Sequence, residues 1–407
     1  MATMDKKALT LSNFSANLLI PLLLVLTIGS VPVSTAGKGL FLLLSSLAIV
    51  LTPSYCKHLR WVVKRSWAWA ALLMFILVIV ACLWSPATPH NQFFVVEKYC
   101  KVMFLSVMVI GFHKERTRHY GLHAFLLAML VTCFIAILKY HGFLQAFNIN
   151  ADRVFRNHIM TGFMVSFAAY LSVWLAWRAP KGWQRYAYIA LAFIYTYHTF
   201  FVNHGRTGYV IYLLLALLLL SQLCTWRQAI IGGVLVSLVF GITYFASPQM
   251  RSGLDSIAEQ VQAYQHNDKD SSVGLRLQFH EFAQSLFLRH PFMGNGTASF
   301  QYYFHVENPV PSWGHDLWEP HSQYWLMASE FGVLGLLAMG FFLYSLLSTS
   351  LRLKTMRIPA LGMLLPFFIG NLSDSLLFYS GSGYFFIIFM GICLGEQLDM
   401  YINKDKS

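Results

Sequence analysis

Long apolar stretches, each close to the length of a membrane span, dominate the pattern of this chain. A helix needs about 20 consecutive apolar residues to cross the hydrocarbon core of a bilayer. Helix is the expected form, because an isolated strand would leave its peptide groups unpaired in lipid. The stretches that approach this length are 15–33, 35–52, 67–84, 92–112, 121–140, 159–177, 185–202, 207–224, 228–246, 321–347, 357–375 and 381–397. The pattern predicts an all-α integral membrane protein with about 12 transmembrane helices.

One long polar segment interrupts this pattern and divides the chain. We predict transmembrane helices 1–9 in residues 1–246 and a loop domain that contains short helices in residues 247–320. Transmembrane helices 10–12 are expected in residues 321–397, and a tail in residues 398–407.

The polar segment carries local signals of its own. Ser271 or Ser272 can cap a helix from about Val273 to Leu288, and Pro291 ends it. The Gly-Asn-Gly sequence at 294–296 predicts a tight turn. Aromatic residues follow it closely, as is typical of a segment at the level of the lipid headgroups.

Basic residues in the short connections predict how the helices are oriented. The even-numbered connections carry clusters of Lys and Arg, whereas the third and the eleventh carry none. Because basic loops stay in the cytoplasm, both termini are expected there. The 247–320 loop is then outside, in the periplasm if the source is a bacterium. Lys6 and Lys7 with the following apolar run resemble a signal peptide, but the length of that run favours a retained first helix.

The composition fits this interpretation. The chain is 57% hydrophobic and only 11% charged, with a formal net charge of +12. We attribute the basic excess to membrane topology and expect no nucleic-acid partner, because no soluble basic domain is present to bind one. The cysteines show no CxxC spacing. Asp268 and Asp270 match the DxD pattern formally, but their surroundings are typical of a solvated turn. We therefore expect no metal and no cofactor.

Several arginines lie on the predicted outer face, where they should be rare because Lys and Arg are enriched in cytoplasmic loops. They are Arg153, Arg156, Arg206, Arg251, Arg276 and Arg289. A guanidinium binds two oxygens of an anionic group at once, so the set predicts an anionic ligand on this face. Taken singly, Arg206 has a simpler interpretation as an interfacial anchor, and Arg276 as part of a solvated helix face.

His321 follows the polar segment directly, and acids lie near the same face. Its ordinary pKa suits a group that accepts a proton near neutral pH. Glu319, Asp316 or Asp374 could orient it or act as the base. Asp374 is a functional candidate by default, because acids at membrane depth are rare. A lone histidine would more often be structural.

The ordered set of motifs from these regions resembles the O-antigen ligases. They belong to a group that also holds O-antigen polymerases and O-oligosaccharyltransferases. The motifs are His-Gly-Arg-Thr-Gly at 204–208, Gly-Leu-Arg-Leu at 274–277, His-Pro-Phe at 290–292, Gly-Asn-Gly at 294–296 and Pro-His-Ser-Gln-Tyr-Trp at 320–325. Relatives often have His-Asn-Glu where this chain has His-Ser-Gln, so no family role is carried over to Ser322 and Gln323.

The resemblance implies a metal-independent, inverting membrane glycosyltransferase of the bacterial inner membrane, with its active site facing the periplasm. It would transfer O-antigen polysaccharide from undecaprenyl diphosphate to a terminal sugar of lipid A-core. Arg206 and Arg276 match the arginines that hold the diphosphate, and His321 matches the histidine that would activate the acceptor hydroxyl. Further candidates for binding the diphosphate or the glycan are Arg153, Arg156, Arg289, Asp374 and Glu319.

Other interpretations remain open at this point. An O-antigen polymerase often has two substantial periplasmic loops, whereas one dominates here. A protein O-oligosaccharyltransferase often carries a C-terminal soluble region. A lipid or solute transporter would need a polar path through the bundle, and Glu97, Lys98 and Lys101 are the main charges inside a predicted span. Membrane lipids are expected neighbours in every case, and the oligomeric state stays undetermined.

Overall fold

The computed structural model describes residues 2–144 and 153–404, with side chains described from Leu18 onward. Helices with short turns make up these ranges, and no strand occurs in them. The α-helices are α1 Ala2–Val33, α2 Thr35–Leu51, α3 Pro53–Cys56, α4 Leu59–Val62, α5 Ser66–Val80, α6 Pro89–Cys100, α7 Phe104–Gly111, α8 Glu115–Tyr140, α9 His158–Arg178, α10 Trp183–Tyr197, α11 Arg206–Leu223, α12 Trp226–Ala246, α13 Pro248–Gln265, α14 Ser272–Arg289, α15 Ser299–Glu307, α16 Gln323–Ser350, α17 Arg357–Gly370 and α18 Ser380–Lys404. The predicted all-α fold class is confirmed.

Seven helices within the described ranges are long and apolar enough to cross a membrane. They are α5 with the 3-10 turn that follows it, α8, α9, α11, α12, α16 and α18. An eighth is added if α2 and the helices after it, which are bent by 83°, form one span. The structure is therefore that of a multi-span membrane protein, but it has fewer full-length spans than the 12 predicted.

The remaining apolar stretches are helical, but they are short or interrupted. Leu18–Val33 and Arg357–Gly370 are apolar helices below full span length. The predicted 92–112 run is broken by a 3-10 turn at Lys101–Met103. The α10 helix continues as a π-helical turn over His198–Val202, so it is not one regular α-helix. The sequence pattern located these elements but did not reveal their breaks.

The centre of the bundle is formed by α9 and α18. In the most apolar part of each helix, 89% of the residues of α9 and 72% of those of α18 are buried, whereas none of α12 is buried. Around them, α9 packs with α10 and α11, α18 with α7, α5 with α16, and α1 with α2 and α8. Ile20, Leu24 and Ile28 of α1 are fully buried, so the first helix is part of the packed core. The α12 helix lies at the periphery.

The polar segment folds into three helices, α13, α14 and α15. The predicted helix is α14, which begins one residue earlier and ends one residue later than expected. Its N-cap is Ser271, whose side chain accepts from the N–H of Gly274. The α13 helix was not foreseen, although Ser247 caps it and Pro248 opens it, both of which are start signals. The α15 helix carries most of the predicted aromatic run.

The 290–296 loop inserts into a break in α16. Gly332 has φ 63° and ψ −152°, a conformation that only glycine adopts easily. The N–H of Val333 donates to the carbonyl of Pro291 at 2.8 Å. The N–H of Gly296 donates to the carbonyl of Glu330, also at 2.8 Å. The loop therefore satisfies backbone groups that the break in the helix leaves free, and it joins the polar segment to the bundle.

Candidate active site

The backbone at His321, directly before α16, is in an unusual conformation, with φ 54°. This conformation costs of order 1–2 kcal/mol for a residue with a side chain. Two side chains hold it in place. The N–H of His321 donates to Glu319 Oε2 at 2.6 Å, and Nε2 of His280 lies 3.3 Å from the His321 carbonyl oxygen. Backbone strain that is held by its surroundings clusters at functional sites, so the geometry marks this residue as a candidate.

The imidazole of His321 faces two buried carboxylates. Its Nδ1 lies 3.2 Å from Glu319 Oε1 and 3.5 Å from Asp374 Oδ1, and the two acidic side chains are 3% and 5% exposed. Nδ1 is within ion-pair distance of both carboxylate oxygens, although it is not aligned for a hydrogen bond with either. Acceptor oxygens beside Nδ1 favour the tautomer that carries its proton there, which leaves the Nε2 lone pair available. Within the described part of the chain, Nε2 has no hydrogen-bond partner. This arrangement suits a base at Nε2 whose protonated form is stabilised by the carboxylates.

Tyr379 completes this cluster. Its hydroxyl donates to Glu319 Oε1, the same oxygen that faces the imidazole. Burial, together with the charges of Glu319 and Asp374, raises the pKa of Tyr379 well above its ordinary value. The hydroxyl therefore stays protonated as a donor at physiological pH, and it fixes the position of the carboxylate.

Two buried side chains, Lys101 and Gln323, hold the connection between α17 and α18 that carries Tyr379. Lys101 Nζ donates to the carbonyls of residues 377, 378 and 379 at 2.7, 2.8 and 3.1 Å. Gln323 Oε1 accepts from the N–H of Phe378 at 2.9 Å, and its Nε2 donates to the hydroxyl of Tyr99 at 2.8 Å. These contacts explain how an irregular segment next to α18 can hold a side chain in a fixed place.

The first half of α14 links the two predicted arginines to the histidine. Arg206 Nη1 donates to Gln260 Oε1 at 3.2 Å, and the same oxygen accepts from the N–H of Val273 in the first turn of α14, also at 3.2 Å. Arg276 lies on the next turn, and its charge acts on Arg206 and on His280. His280 in turn contacts the His321 carbonyl. Burial lowers the pKa of His280, so this side chain is neutral near pH 7.

The histidine opens onto a cavity of about 370 Å³. Its walls come from α6, from the segment before α16 and from the connection before α18. The lining residues are Phe94, Lys98, Trp313, Asp316, Leu317, Trp318, Glu319, His321, Phe378, Tyr379 and Ser380. Aromatic rings next to polar groups suit a sugar, which offers both apolar faces and hydroxyls. The predicted His321, Glu319 and Asp374 therefore come together at a space of ligand size.

The same cluster has the donor types of a cation site. One ligand atom each from Glu319, His321 and Asp374 lies within 4.8 Å of the others. Both oxygens of Glu319 already accept protein hydrogen bonds, from His321 N–H and from the Tyr379 hydroxyl. Asp374 Oδ1 accepts from the N–H of Ser375 at 3.0 Å. Because these oxygens already accept hydrogen bonds from the protein, the arrangement favours a carboxylate–imidazole group over a metal site.

The other predicted residues have partners outside the His321, Glu319 and Asp374 cluster or are exposed. Arg289 is at the far end of α14, where it forms a two-pronged ion pair with Glu307 at 2.5 and 2.8 Å. Thirteen residues along a helix separate it from Arg276, a distance of about 20 Å. Asp316 pairs with His305 at 2.7 Å. Arg153 is exposed.

Arg156 also lies away from the arginine pair. Its guanidinium donates to the carbonyl of Val31, at 3.1 and 2.7 Å, and to the hydroxyl of Thr35. It thereby satisfies a carbonyl at the C-terminal end of α1, where a positive charge is favourable.

Two contributors to the cluster were not among the predicted site residues. Tyr379 had a usable signal, since it lies in an outer connection only a few residues after Asp374. Gln323 had none, because a glutamine at the start of an apolar helix has many possible roles. Asp268 and Asp270, the weak metal pattern, are both exposed.

Comparisons with known proteins agree with the resemblance seen in the sequence. Residues 191–340 match the family model Wzy_C, described as O-antigen ligase. The matched segment includes Arg206, Arg276, Glu319 and His321, whereas Asp374 lies beyond it. This segment is similar to the O-antigen ligase family, and the resemblance seen in the sequence is confirmed. A comparison with curated proteins finds no significant match.

Proposed function

We propose that this chain, which carries an O-antigen ligase family domain, transfers O-antigen polysaccharide from undecaprenyl diphosphate to a terminal sugar of lipid A-core. The family supports a glycosyltransferase activity of the O-antigen ligase or polymerase type, with lipid-linked glycan substrates. The finer assignment is our proposal. The observation that supports it most directly is an imidazole held by two buried carboxylates at a cavity, with two arginines linked to it through α14.

In the proposed reaction, the acceptor hydroxyl gives its proton to His321 Nε2 as its oxygen attacks the anomeric carbon of the glycan. The bond between that carbon and the diphosphate oxygen breaks, and its electron pair leaves with undecaprenyl diphosphate. Glu319 and Asp374 stabilise the imidazolium that forms. Arg206 and Arg276 stabilise the negative charge that develops on the leaving group. The single displacement inverts the configuration at the anomeric carbon.

We further propose that all twelve apolar stretches cross or enter the bacterial inner membrane. Both termini are then cytoplasmic, and the 247–320 segment with the active site faces the periplasm. The basic connections support this orientation. Each predicted stretch is helical in the structure over most of its length, which is compatible with twelve passes, some of them broken.

The test is transfer by purified protein with lipid-linked glycan and lipid A-core. We expect His321→Ala to lower kcat by about 10²–10⁴-fold, the range for loss of a general base. Arg206→Ala and Arg276→Ala should each lower kcat by about 10²-fold or more, since each removes charge stabilisation at the leaving group. In cells, all three variants should lose O-antigen-bearing lipopolysaccharide while the protein remains folded.

Arg289→Ala is the matched control, because it removes an arginine from the same helix whose charge is already paired with Glu307. Its activity should stay within about threefold of wild type. All assays are repeated in EDTA, where full activity is expected. Normal lipopolysaccharide from all three site variants would refute the site. Activity lost in EDTA and restored by Mg²⁺ or Mn²⁺ would make the Glu319, His321 and Asp374 group a metal site.

Deletion of the gene separates a ligase from a polymerase. A ligase deletion leaves lipid-linked polymer that accumulates without being joined to lipid A-core. A polymerase deletion leaves lipid A-core capped with single repeat units. The proposal requires the first result.

A further inference from the structure

Positive charges also lie at the wall of the His321 cavity that comes from α6 and residues 378–380. Lys98 lines this cavity together with Tyr379 and Ser380. Lys38 Nζ donates to the carbonyl of Ser380 at 3.2 Å, so it reaches the same wall from α2. The charges of Arg156 and Lys98 both act on Lys38.

These cations are not neutralised by the protein. No carboxylate oxygen lies within 4.0 Å of Lys38 or Lys98 in the described ranges. Lys98 Nζ lies 4.2 Å above the ring of Phe94, and Lys38 Nζ lies 4.2 Å above the ring of Tyr384. The carboxylates of the cavity have partners of their own, since Glu319 faces His321 and Tyr379, and Asp316 pairs with His305. Lys98 therefore keeps its ammonium donors available at the cavity, whereas Lys38 is 3% exposed, does not line the cavity and acts on it through its charge.

We propose that Lys98, with the buried charge of Lys38 behind it, forms a second anion site, which binds a phosphate group of the acceptor glycolipid. Lysine is a common point-charge partner of phosphate. This inference rests on the proposed function, because it assigns the second substrate of the same reaction. The two arginines reach His321 through α14 and do not line the cavity, whereas Lys98 does. The site then has two cationic groups, one for each lipid-anchored substrate.

Separate cationic groups for donor and acceptor would meet a steric requirement of the transfer. Donor and acceptor are both anchored in the membrane and must approach the same imidazole from different sides. Lys98, on the wall formed by α6 and residues 378–380, would hold the acceptor with its hydroxyl toward Nε2. The arginine pair on the α13–α14 side is left to the donor.

The test is steady-state transfer in nanodiscs with two acceptors, phosphorylated lipid A-core and the same material after enzymatic dephosphorylation. Loss of one charged hydrogen bond corresponds to a change in affinity of about tenfold. We expect Lys98→Gln to raise KM for the phosphorylated acceptor about tenfold and to leave KM for the dephosphorylated acceptor and for the donor unchanged. Lys181→Gln, at an exposed lysine between α9 and α10, is the matched control and should resemble wild type.

Other outcomes overturn the proposal. An equal effect on both acceptors, or an effect on donor KM, would show that Lys98 does not recognise acceptor phosphate. An effect that varies with the anionic phospholipid content of the nanodisc would assign the site to a membrane headgroup. Lys38→Gln is measured alongside, with its melting temperature, because Lys38 is buried. Wild-type protein that transfers to neither acceptor would refute the proposed function instead.

Discussion

A single side chain, His321, shows the local geometry on which the proposed base depends. Its Nδ1 faces two buried carboxylates, and its backbone has a positive φ, a conformation that most residues avoid. Glu319 contributes twice, because Oε1 faces the imidazole and Oε2 accepts from the backbone N–H of the same residue. One carboxylate thus contacts both the ring and the backbone of His321. Nε2, the proposed base, has no hydrogen-bond partner among the described residues.

Tyr379 holds this carboxylate in place, and Tyr379→Phe tests that role. Its hydroxyl donates to Glu319 Oε1, so the substitution removes the donor that fixes the carboxylate beside the imidazole. We expect kcat to fall by about 10-fold to 100-fold, the value of one hydrogen bond to a charged group. The measurement is kcat in transfer assays, together with the melting temperature, which should stay close to that of wild type.

The control for this prediction is Tyr344→Phe, at an exposed tyrosine of α16. It should leave both kcat and the melting temperature unchanged. A Tyr379→Phe enzyme whose kcat and melting temperature both fall would mean that the hydroxyl acts only through packing. Unchanged kcat would remove Tyr379 from the site.

At the scale of elements, the site depends on places where helices are interrupted. The α16 helix breaks at Gly332, and the 290–296 loop fills that break with hydrogen bonds. Asn295 Nδ2 donates to the carbonyls of Leu286 and Ser329, both at 2.8 Å, and so joins α14 to α16. Since α14 carries Arg276 and α16 begins directly after His321, this joint sets the distance between the two halves of the site.

Gly332→Ala should break the joint. A Cβ at this position would lie 2.5 Å from the carbonyl oxygen of Phe292, and the backbone conformation is strained for any residue except glycine. We expect a loss of folding stability of about 2–4 kcal/mol, from strain and steric overlap together. The measurement is the midpoint of thermal unfolding in detergent, followed by transfer activity.

The same helix offers a matched control for this substitution. Gly340 has open space around the position of a Cβ and no positive φ. Gly340→Ala should therefore be neutral or slightly stabilising, since alanine favours helix. If both substitutions had the same effect on the midpoint, the break at Gly332 would not be a structural requirement.

The helices could be predicted from the sequence because their signals are local. Ser271 as a cap and Pro291 as a stop gave α14 to within one residue at each end. The sequence predicted that Glu319, Asp316 or Asp374 could orient His321, but not which of them contact it. These contacts depend on Lys101 and Gln323, which hold the 377–379 backbone from other helices. Such long-range contacts have no periodicity, so the pattern could not give them.

At the scale of the whole molecule, helix length and the predicted topology give different numbers of crossings. Seven helices of the described ranges qualify by length and apolarity. An odd number would put the two termini on opposite sides of the membrane, whereas twelve crossings put them on the same side. The α10 helix and its π-helical turn run together from residue 183 to residue 202, which is about 30 Å and enough to cross. Under the proposal of twelve crossings, broken or short spans of this kind would make up the difference.

Topology mapping decides between these counts. We expect a fluorescent protein fused after Lys404 to be bright, because green fluorescent protein folds in the cytoplasm but not when exported through the general secretion route. Asn267→Cys, in the exposed turn after α13, should be labelled in intact cells by a maleimide that cannot cross the inner membrane. Lys181→Cys should be labelled only after permeabilisation. The parent protein gives the background from its own cysteines.

Each outcome has a separate meaning, because the two readouts depend on different parts of the chain. An external position 267 with a dark fusion would require an even number of crossings after the loop, and so would contradict the three predicted there. If the Asn267→Cys variant were labelled only after permeabilisation, the His321 cavity would lie on the cytoplasmic side. Lipid-linked glycan presented on the outer leaflet could not then reach Arg206 and Arg276. The proposed chemistry at His321 therefore depends on the orientation of the whole chain in the membrane.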